Sequence, residues 1–280
     1  MRIDLHTHSS VSDGTDSPTE LVNAAAAAGV DVLALADHDT VSGWDEAGEA
    51  AAAVGIELVP AIEVSTTWRG ADIHMLAYWP DSASSPLEEM LATIRAGRLS
   101  RIPQMLAALA AHGIRITEEQ VRRAAGEAVS LGRPHVADAL VAAGVVGSRD
   151  EAFGTWVGEG MPGHVPKPAP TLPHAIAVVR AAGGLPVIAH PWGRGSRRVL
   201  DDDAFAELAE VGLVGLEVDH MDHDEEARAD LRAIAERLDL VVTGGSDFHG
   251  TGKHDVHLAA DTTSPQAYAT LLERRARMGL

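Results

Sequence analysis

Short apolar runs that end on a histidine or a carboxylate recur along this 280-residue chain, and helix-start chemistry follows most of them. Residues 3–5 lead into His6-Thr7-His8, 32–36 into Asp37-His38-Asp39, 58–62 into Glu63, and 185–189 into His190. The last such run, 240–243, leads toward Asp247 and His249. Short continuous apolar runs fit buried strands, and a Ser or Thr followed one turn later by Glu or Gln marks a helix start. Ser17-Pro18-Thr19-Glu20 carries the cap, the helix-initiating proline and the capping-box Glu, and Gly29 offers a stop. Ser42-Gly43-Trp44-Asp45 opens a second helix that closes near Gly55. This rhythm predicts an α/β chain built on a largely parallel sheet or barrel.

The rhythm is interrupted once. A strand candidate at 72–78 meets a turn-rich boundary at 80–85, and strands then become scarce. Ser85-Pro86-Leu87-Glu88, Thr117-Glu118-Glu119-Gln120 and Ser148-Arg149-Asp150-Glu151 read as helix starts, so 81–165 is expected to be a mostly helical insertion. Met161-Pro162-Gly163 and the prolines at 166, 168, 170 and 173 mark the way out. Strands are expected again at 185–189, 214–218 and 240–243, with helices near 173–182, 203–211, 225–238 and 265–278. The expected organisation is a first barrel part at 1–80, a substrate cap at 81–165 and a second barrel part at 166–280.

Charge narrows the partners. With 22 Lys+Arg against 41 Asp+Glu, the net charge of −19 repels long duplex nucleic acid and anionic membranes. A phosphorylated substrate therefore needs local positive charge. Cysteine is absent, so any metal is held by nitrogen and oxygen. The start, Met1-Arg2-Ile3-Asp4-Leu5, shows no basic and apolar leader, and no apolar run approaches membrane-spanning length, so a cytoplasmic location is expected. No protein partner is inferred.

The polar groups at the strand ends are the candidates for chemistry, because the C-terminal ends of barrel strands form the catalytic rim. His6 and His8 are two apart and share a face of an extended segment. Asp13, His38, Glu63, His74, His190, Asp247 and His249 complete the set, with His74 inside the 72–78 strand. Any one of these reads equally well as a solvated loop or a hydrogen-bonded core residue. Their joint placement at one end of apolar strands runs against the usual exclusion of such groups from buried surface. At about four to six ligands per ion, the nine donors suit two or three divalent ions, with Mn²⁺, Fe²⁺ and Zn²⁺ all compatible.

DLHTHSSVSDGT, LADHDT, AIEVS, IHMLAY, IAHP and GSDFHG occur in that order, and through them the sequence resembles the polymerase and histidinol phosphatase (PHP) family. The resemblance implies a distorted (β/α)₇ barrel and a metal-dependent phosphoesterase with a trinuclear centre. It implies His6, His8, Glu63 and Asp247 around one ion, Glu63, His74 and His190 around a second, and Asp13, His38 and His249 around a third. Many family members carry His where this chain has Asp13, and the Asp resembles the subgroup of small nucleotide phosphatases. The expected reaction is in-line hydrolysis by metal-bound hydroxide, with no protein nucleophile.

Substrate discrimination is expected from the insertion, where Leu131-Gly132-Arg133-Pro134-His135 resembles the GRPH motif of members that hydrolyse nucleoside 3′,5′-bisphosphates. Arg133 and His135 are candidates for holding a substrate phosphate, although Gly-Arg-Pro is also ordinary helix-start chemistry. Lys167 and Arg101 are further candidates, whereas Arg95 and Arg98 read as charges on a solvated helix face. His220 is a candidate proton donor, with a solvated loop as its alternative, which also serves for His223. Asp37 and Asp39 read as groups that orient an imidazole or cap a helix. Trp192 reads as barrel packing, and His112, His164, His174, His254 and His257 as structural. The leading expectation is removal of the 3′-phosphate from nucleoside 3′,5′-bisphosphates, with trimming of short 5′-phosphorylated oligoribonucleotides beside it. A histidinol-phosphate phosphatase and a non-catalytic metal-binding module are the alternatives, and a polymerase proofreading domain is disfavoured by the charge and the missing polymerase region.

Overall fold

A computed structural model describes residues 1–166, 168–252 and 256–278. Its seven strands are β1 (Ile3–Thr7), β2 (Val32–Leu35), β3 (Glu57–Trp68), β4 (Ala71–Tyr78), β5 (Leu185–Ile188), β6 (Gly215–Asp219) and β7 (Val241–Gly244). They form one sheet in sequence order. The sheet bends round until Thr7 bridges Phe248, with the Asp247 N–H donating to the His6 carbonyl at 2.8 Å. Gly245 permits this approach, since a Cβ there would stand 2.4 Å from the His6 Cβ.

Pairing is parallel except around β4, which runs antiparallel to both β3 and β5. This corrects one expectation, since β3 continues five residues past Glu63; His74 lies inside the next strand as expected, and that strand is reversed. The reversal is a two-residue hairpin whose loop residues, Arg69 and Gly70, have φ of 46° and 83°, the left-handed geometry that matches strand twist. Pairing Ser65 with His74 returns that imidazole to the level of Glu63.

Strand alternation then sets the site on top of the barrel core. Ile3 and Leu5, Val59 and Ala61, Leu76 and Tyr78, and Leu185 and Val187 belong to one buried cluster. Glu63 follows Val59 and Ala61 at the period of two, and His74 precedes Leu76 and Tyr78 in the same way. The opposite strand faces, including Ile62, Met75, Ile188 and Leu216, pack against an outer layer of helices.

The outer helices are α1 (Pro18–Ala27), α2 (Trp44–Val54), α7 (Leu172–Ala181), α8 (Asp202–Val211), α9 (Glu225–Arg237) and α10 (Pro265–Ala276). α1 has the expected capping box, with Ser17 and Glu20 bonding each other's backbone N–H. Between β4 and α7 lie α3 (Ser85–Ala111), α4 (Glu118–Ala125), α5 (Arg133–Ala142) and α6 (Arg149–Ala152), the last continuing into a π-helical turn at Phe153–Val157. α3 is a beam between two cores. Leu87, Leu91 and Ile94 pack with the barrel, whereas Ile102, Met105 and Leu109 join Val121, Val136, Leu140 and Val157 in a separate cluster. Pro103 sits inside α3 near that change of partner. Among the described residues no helix is long and apolar enough to cross a membrane.

Candidate metal centre and substrate cavity

All nine donors named from the sequence converge at the rim. His6, His8, Glu63 and Asp247 form one group, His8, Asp13 and His38 a second, and His38, Glu63 and His74 a third, the donor atoms of each lying within 4.8 Å of one another. Glu63 is the hub. Its Oε2 stands 3.3 Å from His6 Nε2, 3.1 Å from His8 Nε2 and 3.3 Å from His38 Nδ1. Its Oε1 lies 2.6 Å from His74 Nδ1 and 3.2 Å from His190 Nε2. Asp13 faces His38 Nε2 at 3.6 Å and His249 Nε2 at 3.4 Å, and Asp247 Oδ1 reaches His8 Nε2 at 3.2 Å.

Three buried nitrogens here, His6 Nε2 and both ring nitrogens of His8, have no hydrogen-bond partner. The nearby carboxylates lie within ion-pairing distance but off the line of a hydrogen bond. An orphaned buried polar atom is costly, and convergent imidazole lone pairs and carboxylate oxygens fit divalent cations. The electrostatics point the same way. Burial pushes the His6 and His8 imidazoles toward neutrality, yet the carboxylates beside them outweigh it. His6 is raised well above its ordinary value by Glu217, Asp247 and Glu63, and His8 is raised to about 10 by Asp247, Glu63 and Asp13. For Glu63 and Asp13 burial opposes ionisation, but the surrounding imidazoles hold both carboxyls well below the usual range. Without metal, the cluster takes its positive charge from protons.

The donors are held by further groups, of which only Asp37 and Asp39 were expected from the sequence. Glu217 is fully buried on β6 and accepts from His6 Nδ1 at 3.0 Å and from the His190 N–H at 2.9 Å. That fixes the His6 tautomer and turns its Nε2 toward the cluster. The signal was a lone carboxylate inside the apolar stretch Gly215-Leu216-Glu217-Val218. A second device occurs three times, an aspartate accepting from both the N–H and the hydroxyl of one serine. Asp4 holds Ser246 at 2.9 and 2.6 Å, Asp37 holds Ser9 at 2.8 and 2.6 Å, and Asp39 holds Ser65 at 2.7 and 2.9 Å. Each serine lies one or two residues from Asp247, His8 or Glu63. Asp37 and Asp39 thus fasten segments that carry candidate donors, and the cap of α2 is Gly43.

A cavity of about 420 Å³ opens over the cluster, and the wall facing it carries Arg98, Arg101, Arg133, Arg149 and Phe153. Arg98 is buried, 2.6 Å from Asp39 Oδ2, which corrects its reading as a solvated charge; Arg95, on the same helix, is part-buried and donates to the Asp39 carbonyl. Gly132 makes room, since a Cβ there would meet Arg98 Nη1 at 2.8 Å. Arg101 is also buried, and its Nε has no hydrogen-bond partner. Burial, with the charges of Arg98 and Arg133, pushes its guanidinium down to about 9. Arg133 lies 5.8 Å from the centre of the Phe153 ring.

The remaining candidates fall outside this wall. His135 accepts from the Gly132 N–H at Nδ1 and donates from Nε2 to the Ser12 carbonyl, both at 2.9 Å, so its ring serves internal bonds. His220 sits behind Asp247, 3.4 Å from Oδ2, and its Nδ1 accepts from the Asp222 N–H. His223 bonds the Val218 carbonyl and the Trp192 N–H, and Trp192 packs on Phe205. Lys167 and His254 lie outside the described residues.

Comparison with known proteins follows the same lines. Residues 4–130 match the family described as PHP domain. A 5′-3′ exoribonuclease from Haemophilus influenzae is 37% identical over 253 residues, covering 89% of this chain and 90% of that protein. A 3′,5′-nucleoside bisphosphate phosphatase from Chromobacterium violaceum is 36% identical over 251 residues, covering 90% of this chain and 88% of that protein. A crystal structure from Bifidobacterium adolescentis, assigned to a metal-dependent phosphoesterase, superposes with a TM-score of 0.92 at 39% identity, covering 97% and 96% of the two chains.

Proposed function

The chain belongs to the PHP domain family and is a metal-dependent phosphoesterase, and from that premise we propose that it removes the 3′-phosphate from nucleoside 3′,5′-bisphosphates. Short 5′-phosphorylated oligoribonucleotides are the second substrate class in this reading, in line with the name of the Haemophilus relative. The observation that carries the proposal is the arginine group that lines the cavity together with the metal cluster, with Arg98 and Arg101 buried. Arg101 is crowded by the guanidiniums of Arg98 and Arg133 and keeps a buried, unpartnered Nε, a donor suited to an anionic partner. A substrate with a second phosphate supplies one.

In this reading His6, His8, Glu63 and Asp247, then Glu63, His74 and His190, then Asp13, His38 and His249 hold up to three divalent ions. Such ions, when bound, acidify water and stabilise charge developing on phosphoryl oxygens. The chain's own groups do the rest. Glu63 ties the sets together, Glu217 keeps the lone pair of His6 Nε2 facing the cluster, and His220 steadies Asp247 from behind. Arg133 and Arg101 bind and orient the second phosphate. Residues 81–165 act as a cap over the barrel parts 1–80 and 166–280, with a hydrophobic core of their own, and exclude water from the cavity.

Metal-loaded protein is expected to release phosphate from adenosine 3′,5′-bisphosphate far faster than from histidinol phosphate, measured as kcat/KM for each. The reverse preference would sink the substrate assignment. Arg101→Met is expected to raise KM for the bisphosphate by about tenfold or more while sparing a generic aryl phosphate. Equal loss on both substrates would place Arg101 elsewhere.

A further inference from the structure

Residues 11–13 approach the cluster from β1, yet the helical insertion grips their backbone. Three consecutive carbonyls are each taken by a donor from it. The Val11 carbonyl accepts from the Val129 N–H at 2.9 Å, the Ser12 carbonyl from His135 Nε2 at 2.9 Å, and the Asp13 carbonyl from Arg149 Nη1 at 2.9 Å. The last two donors are themselves fixed. A carbonyl only accepts, so His135 carries its proton on Nε2, which leaves Nδ1 to take the Gly132 N–H in the first turn of α5. Arg149 spans Asp138 of α5 with Nε and Nη2, at 2.5 and 2.6 Å, while Nη1 reaches the loop. His135 is buried, and the Arg149 side chain is only 12% exposed. These bonds therefore form away from bulk water, where a fixed geometry is held more firmly.

The other carboxylates of the cluster are placed differently. Glu63 is a strand residue, and Asp247 is fastened through the Asp4–Ser246 pair. On the barrel side the Asp13 loop is held by the bonds of Asp37 to Ser9 and Ser12 and by the Thr15 N–H, which donates to the His249 carbonyl at 3.2 Å. Without the insertion, nothing described holds the carbonyls of Val11, Ser12 and Asp13.

We infer that His135 and Arg149 are positioning residues for the ion that Asp13, His38 and His249 would share, so that the cap sets the affinity of one metal position and leaves the others to the barrel. This rests on the ligand reading of Asp13 given above. The consequence is a site in two parts with separable metal affinities. Partners that orient a ligand are worth about 10–100-fold in metal affinity.

The test is stepwise titration of Mn²⁺ into metal-free full-length protein, followed by calorimetry and by metal analysis after dialysis. Variants are Asp13→Asn, His135→Gln, Arg149→Met and the solvent-exposed Arg123→Ala. The expected result is that Asp13→Asn weakens one binding step, that His135→Gln and Arg149→Met weaken that same step by about 10–100-fold, and that Arg123→Ala matches the native protein. The remaining steps keep their affinities. Should Arg149→Met not fold, Arg149→Lys carries the same comparison, because it keeps a cation but loses the fork that spans Asp138 and the loop. Native affinities in both clamp variants alongside a weakened step in Asp13→Asn would overturn the inference, as would equal weakening of every step. No change in Asp13→Asn would instead refute the ligand reading beneath it.

Discussion

Glu63 and Asp13 are both buried carboxylates of one cluster, but Glu63 is set by the register of a twelve-residue strand and Asp13 by a loop that another part of the chain grips. Around Glu63 the supports are short-range sheet pairing and the bonds of Asp39 to Ser65, two residues along the same strand. Around Asp13 they include side chains more than a hundred residues downstream, in the insertion. One polar cluster is thus assembled by two kinds of structure, a sheet that fixes its residues by pleat and register, and a clamp that fixes its loop by three hydrogen bonds.

The most severe way to break the contrast is Glu63→Gln, which removes a charge shared by both parts. Activity is expected to fall by more than the ~100-fold typical of an orienting partner, and metal content should drop across every position. Near-native metal content would show that Glu63 is not the hub. Glu217→Gln should strike the strand-held part alone, through His6 and the His190 backbone, with a loss of about 10–100-fold in affinity there. A loss confined to the step that Asp13→Asn weakens would contradict the division.

The smallest effect is on stability against pH without metal. His8, raised from 6.5 to about 10, contributes stability that is fully present below 6.5 and is lost as pH rises toward 10, and His6 acts in the same direction. His38 is depressed by burial and by Arg98 and His74 against the pull of Glu63 and Asp13. Its contribution, with those of the depressed carboxyls Asp13 and Glu63, is lost as pH falls. Metal-free protein should therefore melt highest near pH 6.5 and fall by a few degrees, at about 2–4 °C per kcal/mol, on going to pH 9. Metal-loaded protein should not show that alkaline fall, because bound ions replace the protons. Calorimetric scans of both forms check this, and a metal-free melting point that rises from pH 6.5 to 9 would refute the protonated imidazoles.

The same division explains what could be read in advance. Strand-borne groups announce themselves, because a histidine or carboxylate closing an apolar run is conspicuous; the seven strands and the candidates His6, His38, Glu63 and His190 were legible in this way, whereas Asp13 lies in a loop and His74 inside a strand. The β3–β4 reversal was hidden by its loop, since Arg69 stands where Asn, Asp or Gly usually marks a two-residue hairpin. With the turn concealed, Glu63 looked like a strand end. Arg98 gave no local sign of burial, because its partner Asp39 is 59 residues away and on another element. His135 carried a misleading sign. A histidine beside Arg-Pro at a helix start fits a phosphate ligand by composition, and only the position of the Ser12 carbonyl shows where its proton goes.

The Asp4–Ser246 pair also orders events in time. Its members lie 242 residues apart, so the bond that seats Asp247 beside His6 closes a ring around nearly the whole chain. During synthesis the first strand emerges long before the segment that completes its site, and contacts this distant are among the slowest to form. The emerging polypeptide therefore has no finished metal pocket until residues 246–249 reach the barrel. Assembly of the candidate cluster is then a late step of folding, and a truncated chain lacking that segment is expected to release no phosphate.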